Sequence, residues 1–142
     1  MLTNKIYSSG RSQNISIMNG RVPIQVMEVH GNIDSSNHET FQSKARELVD
    51  GGARYILLDF ADVPYMSSAG LRVIQSIYNQ LRALDTSTSE EEVHKGIKAG
   101  TYKSPNLKVA NLSKATREVF SMSGFDMFIE ACADVKTAVA SF

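Results

Sequence analysis

The chain has 142 residues, which suits one folded domain rather than two. Its 15 lysine and arginine residues balance 15 aspartate and glutamate residues, which excludes a global basic field of the kind that attracts nucleic acids or membrane surfaces. The single cysteine, Cys132, excludes an internal disulfide and is typical of a reducing compartment. Because neither a long apolar run nor a signal-peptide pattern is present, we expect a cytoplasmic protein without membrane insertion.

The N-terminal part of the chain predicts an arm followed by a hairpin. Residues 1–13 are polar and aperiodic, so we expect a flexible arm there. The run ISIMNGRVPIQVMEV (15–29) predicts two strands around Asn19-Gly20, a dipeptide that supplies the positive φ angles of a tight turn. Pro23 is expected at the start or edge of the second strand, where its missing N–H costs little.

The middle of the chain predicts two helices around a buried strand. Apolar residues at helical spacing predict a helix over 36–49, and the glycine pair at 51–52 ends it. The run YILLDF (55–60) has no polar alternation, which is typical of a central strand covered on both faces. A second apolar stripe predicts a helix over 68–84.

The segment 85–106 is polar and shows no strand pattern, so it is interpreted as an insertion. Ser89 and Glu92 form a capping-box pattern and Gly100 could end a short helix, whereas Gly96 within it disfavours helix. A short helix and a disordered loop both remain open. The remaining segments predict a strand over 107–112, a helix between Ser113 and Gly124, a strand over 125–131 and, after the cap residue Asp134, a helix over 135–141.

This alternation of strands and helices predicts the fold class, a single α/β domain over residues 14–142 with an insertion at 85–106. We expect a mixed sheet of four to five strands with about four helices packed on it. Right-handed crossovers would bring the loops at 30–38 and 60–69 to the carboxyl end of the sheet, where α/β proteins place their sites.

The sequence SSAG at 67–70 lies where the central strand gives way to a helix, a position that suits a catalytic nucleophile. A nucleophile elbow has the pattern G-x-S-x-G, because the first glycine permits the strained turn. Gly70 is correctly placed for Ser68, but Met66 stands where the first glycine is needed. Of the three histidines, only His30 is expected at this end of the sheet, so a hydrolase is disfavoured and no catalytic residue is assigned.

Phosphate cradles and metal sites are disfavoured as well. A phosphate-binding loop needs several glycines and a lysine, whereas SSAG has one glycine and no lysine. His30, Asp34 and His38 share only a loose spacing, which is typical of a turn followed by a helix cap. We therefore predict no metal and no cofactor.

A helix terminus offers two further interpretations of Ser67 and Ser68. One of these serines can be the N-cap, the usual role of serine in this position. The same position tolerates a phosphate, because the first N–H groups of a helix are unsatisfied and the helix dipole is positive there. Spacing alone favours the cap, and a phosphoserine would add about two negative charges to an exposed surface.

The segment LLDFADVPYMSSAGLRVI (57–74) resembles the signature of the STAS domain family, named for sulfate transporters and anti-sigma factor antagonists. The shared features are an aspartate-ended strand, a polar link, an apolar pair, a serine and a glycine–leucine pair. VMEVHGNIDSSNHETFQSKARELV (26–49) resembles the second strand, loop and first helix of the family, and the C-terminal half is similar too. The resemblance covers residues 15–139.

The resemblance implies a non-enzymatic, bacterial, partner-switching protein in transcription regulation and signal transduction. In the standalone members, the unphosphorylated antagonist binds an anti-sigma factor that is also a serine kinase, and the sigma factor is released. The kinase phosphorylates one serine of the antagonist, and a serine phosphatase restores it. No direct contact with nucleic acid is implied.

Carried over by position, the phosphorylated residue is Ser68, with Ser67 as the alternative because Ser67 stands where the family often has aspartate. The insertion at 85–106 has no counterpart in the shortest members, and we expect it to influence partner choice. The resemblance implies partner contacts from two loops, formed by Asp34, Ser35, Ser36, Asn37, Met66, Ser67, Ser68, Ala69, Gly70, Leu71 and Arg72.

Another class of function is implied by other members of the family. Some STAS domains are scaffolds in sensory complexes or accessory subunits of transport systems, and some are proposed to bind nucleotides or lipids. The lack of a fused membrane or sensor segment favours the antagonist. A phosphate on Ser67 or Ser68 would distinguish the two classes.

Overall fold

A mixed β-sheet organises the computed structural model, which describes residues 3–7, 13–19, 22–85 and 88–142. In these ranges the sheet has six strands in the order β1-β2-β3-β4-β5-β6, antiparallel from β1 to β3 and parallel from β3 to β6. The strands are β1 (Thr3–Tyr7), β2 (Gln13–Asn19), β3 (Pro23–His30), β4 (Ile56–Asp62), β5 (Leu107–Ala110) and β6 (Glu130–Cys132). The α-helices are α1 (His38–Asp50), α2 (Ser68–Leu84), α3 (Glu90–Ala99), α4 (Lys114–Met122) and α5 (Val135–Ser141). The predicted α/β class and mixed sheet are confirmed.

Strand β4 is central and buried on both faces, as its unbroken apolar run predicts. Leu58 belongs to the larger apolar cluster, which β3, β4 and β5 form with α1, α2 and α4. Leu57 points the other way into a smaller cluster that α5 covers with Ala138 and Val139. Because both faces of β4 are covered, the strand has no polar position until Asp59.

The N-terminal strands differ in part from the prediction. Thr3–Tyr7 form β1 and pair with β2, where the sequence predicts a flexible arm over 1–13 without a strand. Backbone pairing at a sheet edge needs no apolar periodicity, so this strand carries no pattern that would predict it. The other arm residues before Gln13 lie outside the described residues.

The predicted hairpin is confirmed as an antiparallel pair of strands, but the prediction that Asn19 lies at the centre of the turn is wrong, because Asn19 belongs to β2. Asn19 ends β2 and is paired with Pro23, which begins β3 as expected. Gly20, the second residue of the predicted turn, lies outside the described residues.

The last predicted strand is shorter and later than expected. Residues Phe125–Met127 form a 3-10 helix after Gly124, whose φ of 80° turns the chain, and β6 begins only at Glu130. The Phe125 ring packs edge-on against Phe120 with the ring centroids 5.8 Å apart. This apolar run predicts a strand, but its aromatic residues pack from a helical turn instead.

The insertion forms helix α3, which decides between the two interpretations left open by the sequence. The Ser89 hydroxyl accepts a hydrogen bond from the Glu92 N–H at 3.2 Å, and Gly100 ends the helix with a φ of 72°. Behind α3, the Tyr78 hydroxyl of α2 donates to the Tyr102 hydroxyl at 3.4 Å. Burial and this neighbouring hydroxyl raise the pKa of Tyr78.

Gly96 allows α3 to approach Tyr102 closely. A Cβ atom at this position would lie 2.6 Å from the Tyr102 Cβ. We expect Gly96→Ala to lower the free energy of unfolding by about 1–3 kcal/mol through overpacking, although alanine favours a helix by about 1 kcal/mol. Urea unfolding checks this, and a more stable Gly96→Ala variant would show that the close contact does not constrain the insertion.

Candidate functional site

The loops that follow β3 and β4 lie side by side at the carboxyl end of the sheet, as predicted. The Ile33 N–H donates to the Tyr65 carbonyl at 3.1 Å, and the Ile33 carbonyl accepts from the Ser67 N–H at 2.8 Å. Ile33 and Met66 thereby form an isolated parallel bridge beyond the ends of the strands. The two loops are therefore joined by the same kind of pairing that joins β3 to β4.

A histidine and two carboxylates join the ends of the same two strands. His30 Nδ1 lies 2.8 Å from a carboxylate oxygen of Asp62, and its Nε2 lies 3.4 Å from the carboxylate of Glu28. His38 lies elsewhere, with its Nδ1 3.1 Å from the Ser35 carbonyl. Within the described ranges no group of three or more His, Cys, Asp and Glu side chains could hold a metal ion.

The first loop is closed by a network centred on Asp34. Its Oδ1 accepts from the Ser36 N–H at 2.8 Å and from the Ser36 hydroxyl at 2.5 Å. The Asn37 side chain accepts from the Asp34 N–H and donates to the Asn32 carbonyl. The Ser36 hydroxyl, followed by the Ser36 N–H, holds the pKa of Asp34 below its ordinary value. Asp34 is thus a fixed negative charge in this turn at neutral pH.

The second loop is held by its own backbone and by α4. The Val63 N–H donates to the Phe60 carbonyl at 3.0 Å. The Ser113 hydroxyl, at the start of α4, donates to the Pro64 carbonyl at 3.1 Å. The Thr116 hydroxyl donates to the Val63 carbonyl over a longer distance of 3.4 Å. The Val63 and Pro64 carbonyl groups are therefore held by side chains at the start of α4. The next carbonyl group, that of Tyr65, is held by the Ile33 N–H.

The structure gives Ser67 and Ser68 different surroundings. Ser67 is the half-buried N-cap of α2, and its hydroxyl accepts from the Ala69 N–H at 3.2 Å. Ser68 is the first residue of α2 and is exposed. No described group forms a hydrogen bond with the Ser68 hydroxyl. The cap interpretation therefore applies to Ser67, and the Ser68 hydroxyl is open to solvent.

The structure divides the predicted partner-contact residues into buried and exposed groups. Met66, Ala69, Gly70 and Leu71 form the buried group, and their contact with a partner stays a prediction. Asp34, Asn37 and Ser67 are half-buried. Tyr65 directly precedes the buried Met66 and is 49% exposed. We call the exposed side chains of Ser35, Ser36, Tyr65, Ser68 and Arg72 the ridge.

In its described residues, the insertion does not contribute to the ridge. It contacts α2 through Tyr102 and Tyr78, and Tyr78 follows Ser68 by ten residues. Ten residues correspond to about 15 Å along a helix. Any influence of the insertion on partner choice therefore requires a contact surface beyond the ridge.

Gly70 sets how closely α2 approaches the loop beneath it. A Cβ atom there would lie 2.3 Å from Met66 Cγ and 3.0 Å from Ile33 Cγ2. Both neighbouring side chains are buried, Met66 completely. The glycine therefore seats the first turn of α2 directly on the bridge between the two loops.

Comparison with known proteins identifies the family. The model of the STAS domain matches residues 17–88, which is half of the chain. The chain belongs to the STAS domain family. This STAS domain is 29% identical over 114 residues to BtrV of Bordetella bronchiseptica, a protein assigned as an anti-sigma factor antagonist; the match covers 80% of this chain and 82% of that protein.

Solved structures share the fold of this STAS domain. An anti-sigma factor antagonist from Mycobacterium paratuberculosis has a TM-score of 0.65 at 16% identity, covering 92% of this chain and 93% of that one. The anti-sigma factor antagonist SpoIIAA in its unphosphorylated form has a TM-score of 0.62 at 16% identity, covering 99% and 95%. The phosphorylated form of the Bacillus cell fate determinant SpoIIAA has a TM-score of 0.58 at 18% identity, covering 89% and 97%.

These relatives agree with the expectation of a non-enzymatic protein, since anti-sigma factor antagonists are regulators rather than enzymes. Among the helices that the structure describes, none has the length and apolar character needed to span a membrane.

The seating of α2 can be tested at Gly70. We expect Gly70→Ala to lower the free energy of unfolding by about 1–3 kcal/mol, because the new methyl group overlaps the Met66 side chain. Adding Met66→Ala removes the overlapping atoms, so the double variant should lose less stability than the sum of the two single variants. Chemical unfolding of all four proteins measures this coupling, and strictly additive losses would contradict the close approach.

The turn in the first loop can be tested by pH. Because the folded-state pKa of Asp34 is depressed, its charge stabilises the fold above the unfolded-state pKa, and this stabilisation is lost as the pH falls through the folded-state pKa. We expect Ser36→Ala to raise the pKa of Asp34 toward the ordinary value of 3.8, because the largest cause of the shift is removed. The carboxyl carbon signal in an NMR titration reports it. Ser35→Ala is the control and should leave the pKa of Asp34 unchanged.

Proposed function

We propose that this STAS domain is a cytoplasmic anti-sigma factor antagonist whose unphosphorylated ridge binds an anti-sigma factor with serine kinase activity and so releases a sigma factor. Phosphorylation of Ser68 ends the binding, and a serine phosphatase restores it. The observation that carries the proposal is the Ser68 hydroxyl, which is exposed and forms no hydrogen bond with any described residue, on a ridge whose two loops are fixed. The similarity to BtrV supports the same role.

Ser68 suits phosphoryl transfer better than Ser67. The Ser67 hydroxyl is half-buried and caps α2, so modification there would remove the cap and lower helix stability by about 1 kcal/mol. The Ser68 hydroxyl is exposed and serves no such contact among the described residues. A kinase can therefore modify Ser68 without first opening the fold.

A phosphate on Ser68 would leave the fold intact and change the surface. It would lie at the first turn of α2, where N–H groups lack helical partners, and the first turn carries no acidic residue. It would add about two negative charges to a ridge that adjoins the carboxylate of Asp34. Binding is then opposed by charge repulsion and by the cost of removing water from the phosphate.

The charges of the ridge favour recognition by shape and local contacts. Asp34 and Arg72 supply one charge of each sign beside the serines, and the whole chain has a formal net charge of zero. A partner is therefore not attracted by a general field, which suits a specific protein partner better than a nucleic acid.

The switch can be tested with charge variants of Ser68. We expect Ser68→Asp to weaken binding to the anti-sigma factor by more than the tenfold that about 1.4 kcal/mol represents, whereas Ser68→Ala retains binding. The anti-sigma factor is identified by affinity capture from the native cells with the wild-type protein, then purified for calorimetry. Ser67→Ala is the control, since it lowers the stability of the fold but keeps the exposed hydroxyl of Ser68. Equal affinity of wild type and Ser68→Asp would contradict the switch.

The modification itself is tested by mass spectrometry of the protein from its own cells. A phosphate on Ser68 supports the proposal, and a phosphate on Ser67 assigns the switch to the alternative residue. Persistent absence of both under conditions that change sigma factor activity would favour the scaffold function instead.

A further inference from the structure

Tyr65 is an exposed aromatic residue in the ridge with no partner in the described part of the chain. Of the large hydrophobic side chains that the structure describes, four are exposed, namely Tyr65, Leu84, Met122 and Met127. Only Tyr65 belongs to the ridge. Within the described residues its ring makes no aromatic contact and its hydroxyl no hydrogen bond. The fold therefore gives this side chain no visible role.

The backbone that carries Tyr65 is fixed on both sides. The Tyr65 carbonyl accepts from the Ile33 N–H at 3.1 Å, and the preceding Pro64 carbonyl accepts from the Ser113 hydroxyl at 3.1 Å. The residue that follows, Met66, is completely buried. The ring is thus displayed from a preorganised position, and binding needs to order only its two side-chain torsions.

We infer that Tyr65 is the apolar anchor of the ridge and inserts into an apolar pocket of the anti-sigma factor that holds a hydrogen-bond acceptor for the phenol hydroxyl. This inference rests on the proposed function and names the chemistry of the partner. Aromatic residues that fill a pocket at the centre of an interface often carry much of its binding energy. A tyrosine is suited to a pocket that is apolar along its walls and polar at its end.

The anchor also determines how strongly phosphorylation acts. Tyr65 and Ser68 are three residues apart, on either side of the Ser67 N–H that is bonded to Ile33. Because this connection is fixed, burial of the Tyr65 ring in a pocket brings the Ser68 hydroxyl into the region from which water is removed. A phosphate on Ser68 opposes binding most when the ring is buried, so the two residues should be energetically coupled.

Calorimetry with the purified anti-sigma factor tests the anchor, using wild type, Tyr65→Ala, Tyr65→Phe and Leu84→Ala. Leu84 is the matched control, because it is 50% exposed against 49% for Tyr65 and lies at the other end of α2. We expect Tyr65→Ala to weaken binding by about 30-fold or more, Tyr65→Phe by about three- to tenfold, and Leu84→Ala by less than about twofold. Thermal unfolding confirms that each variant is folded.

The coupling is measured by adding Ser68→Asp to wild type and to Tyr65→Ala. A smaller effect of Ser68→Asp in the Tyr65→Ala background supports the anchor. If Tyr65→Ala binds like wild type while Ser68→Asp weakens binding, the anchor is overturned and the proposed function stands. If Tyr65→Ala weakens binding and Ser68→Asp does not, the proposed phosphorylation switch is contradicted and the contact of Tyr65 with the anti-sigma factor is supported.

The alternative to be tested is that the exposed Tyr65 ring binds another copy of this chain. Sedimentation of wild type and Tyr65→Ala distinguishes this case. A wild-type dimer that Tyr65→Ala dissociates would overturn the assignment of the ring to the anti-sigma factor.

Discussion

The two backbone hydrogen bonds of Ile33 are the constraint on which the site depends. Through them the loop after β3 is paired with the loop after β4, and neither can shift without the other. The pairing also sets an alternation along the second loop, with Tyr65 outward, Met66 inward and the Ser67 backbone bonded. Gly70 then lets α2 begin directly above this bridge. A surface made of loops is thereby held by the same backbone pairing as a sheet.

Helix α2 serves different neighbours along its length. Its first turn carries Ser68 and Arg72 on the ridge, and its middle carries Ile74 and Ile77 in the core. Further on, Tyr78 packs against the Phe128 ring, with the centroids 4.8 Å apart, and meets the insertion. The insertion is thus attached to the half of the helix that the ridge leaves free. Its presence adds a surface without altering the serine-bearing turn.

The sequence predicted best what depends on local pattern. The bounds of α2 follow from a capping serine and a sustained apolar stripe, and the burial of β4 from its unbroken apolar run. Strand β1 could not be predicted, because this edge strand is decided by backbone pairing with its neighbour β2 and not by an apolar pattern of its own. The exposure of the ridge residues is also decided by pairing between segments. Burial of Met66 and exposure of Tyr65 follow from the bridge to Ile33, which lies 33 residues before Met66. The hydrogen bond that the Ser67 hydroxyl accepts identifies Ser67 as the cap residue. Spacing alone could not decide between Ser67 and Ser68.

The close approach at Gly70 bears on how the letters SSAG should be interpreted in other chains. Ser67 caps a helix, and Ala69 and Gly70 lie buried at its seat, so three of the four positions serve architecture. Of the four residues, only Ser68 has an exposed side chain that forms no hydrogen bond with the described residues. A chain that keeps the other three and replaces Ser68 would still fold, but it would lack the serine of the signature. The architecture of this turn and the proposed phosphorylation are therefore separable, because the first depends on Ser67, Ala69 and Gly70 and the second on the Ser68 hydroxyl.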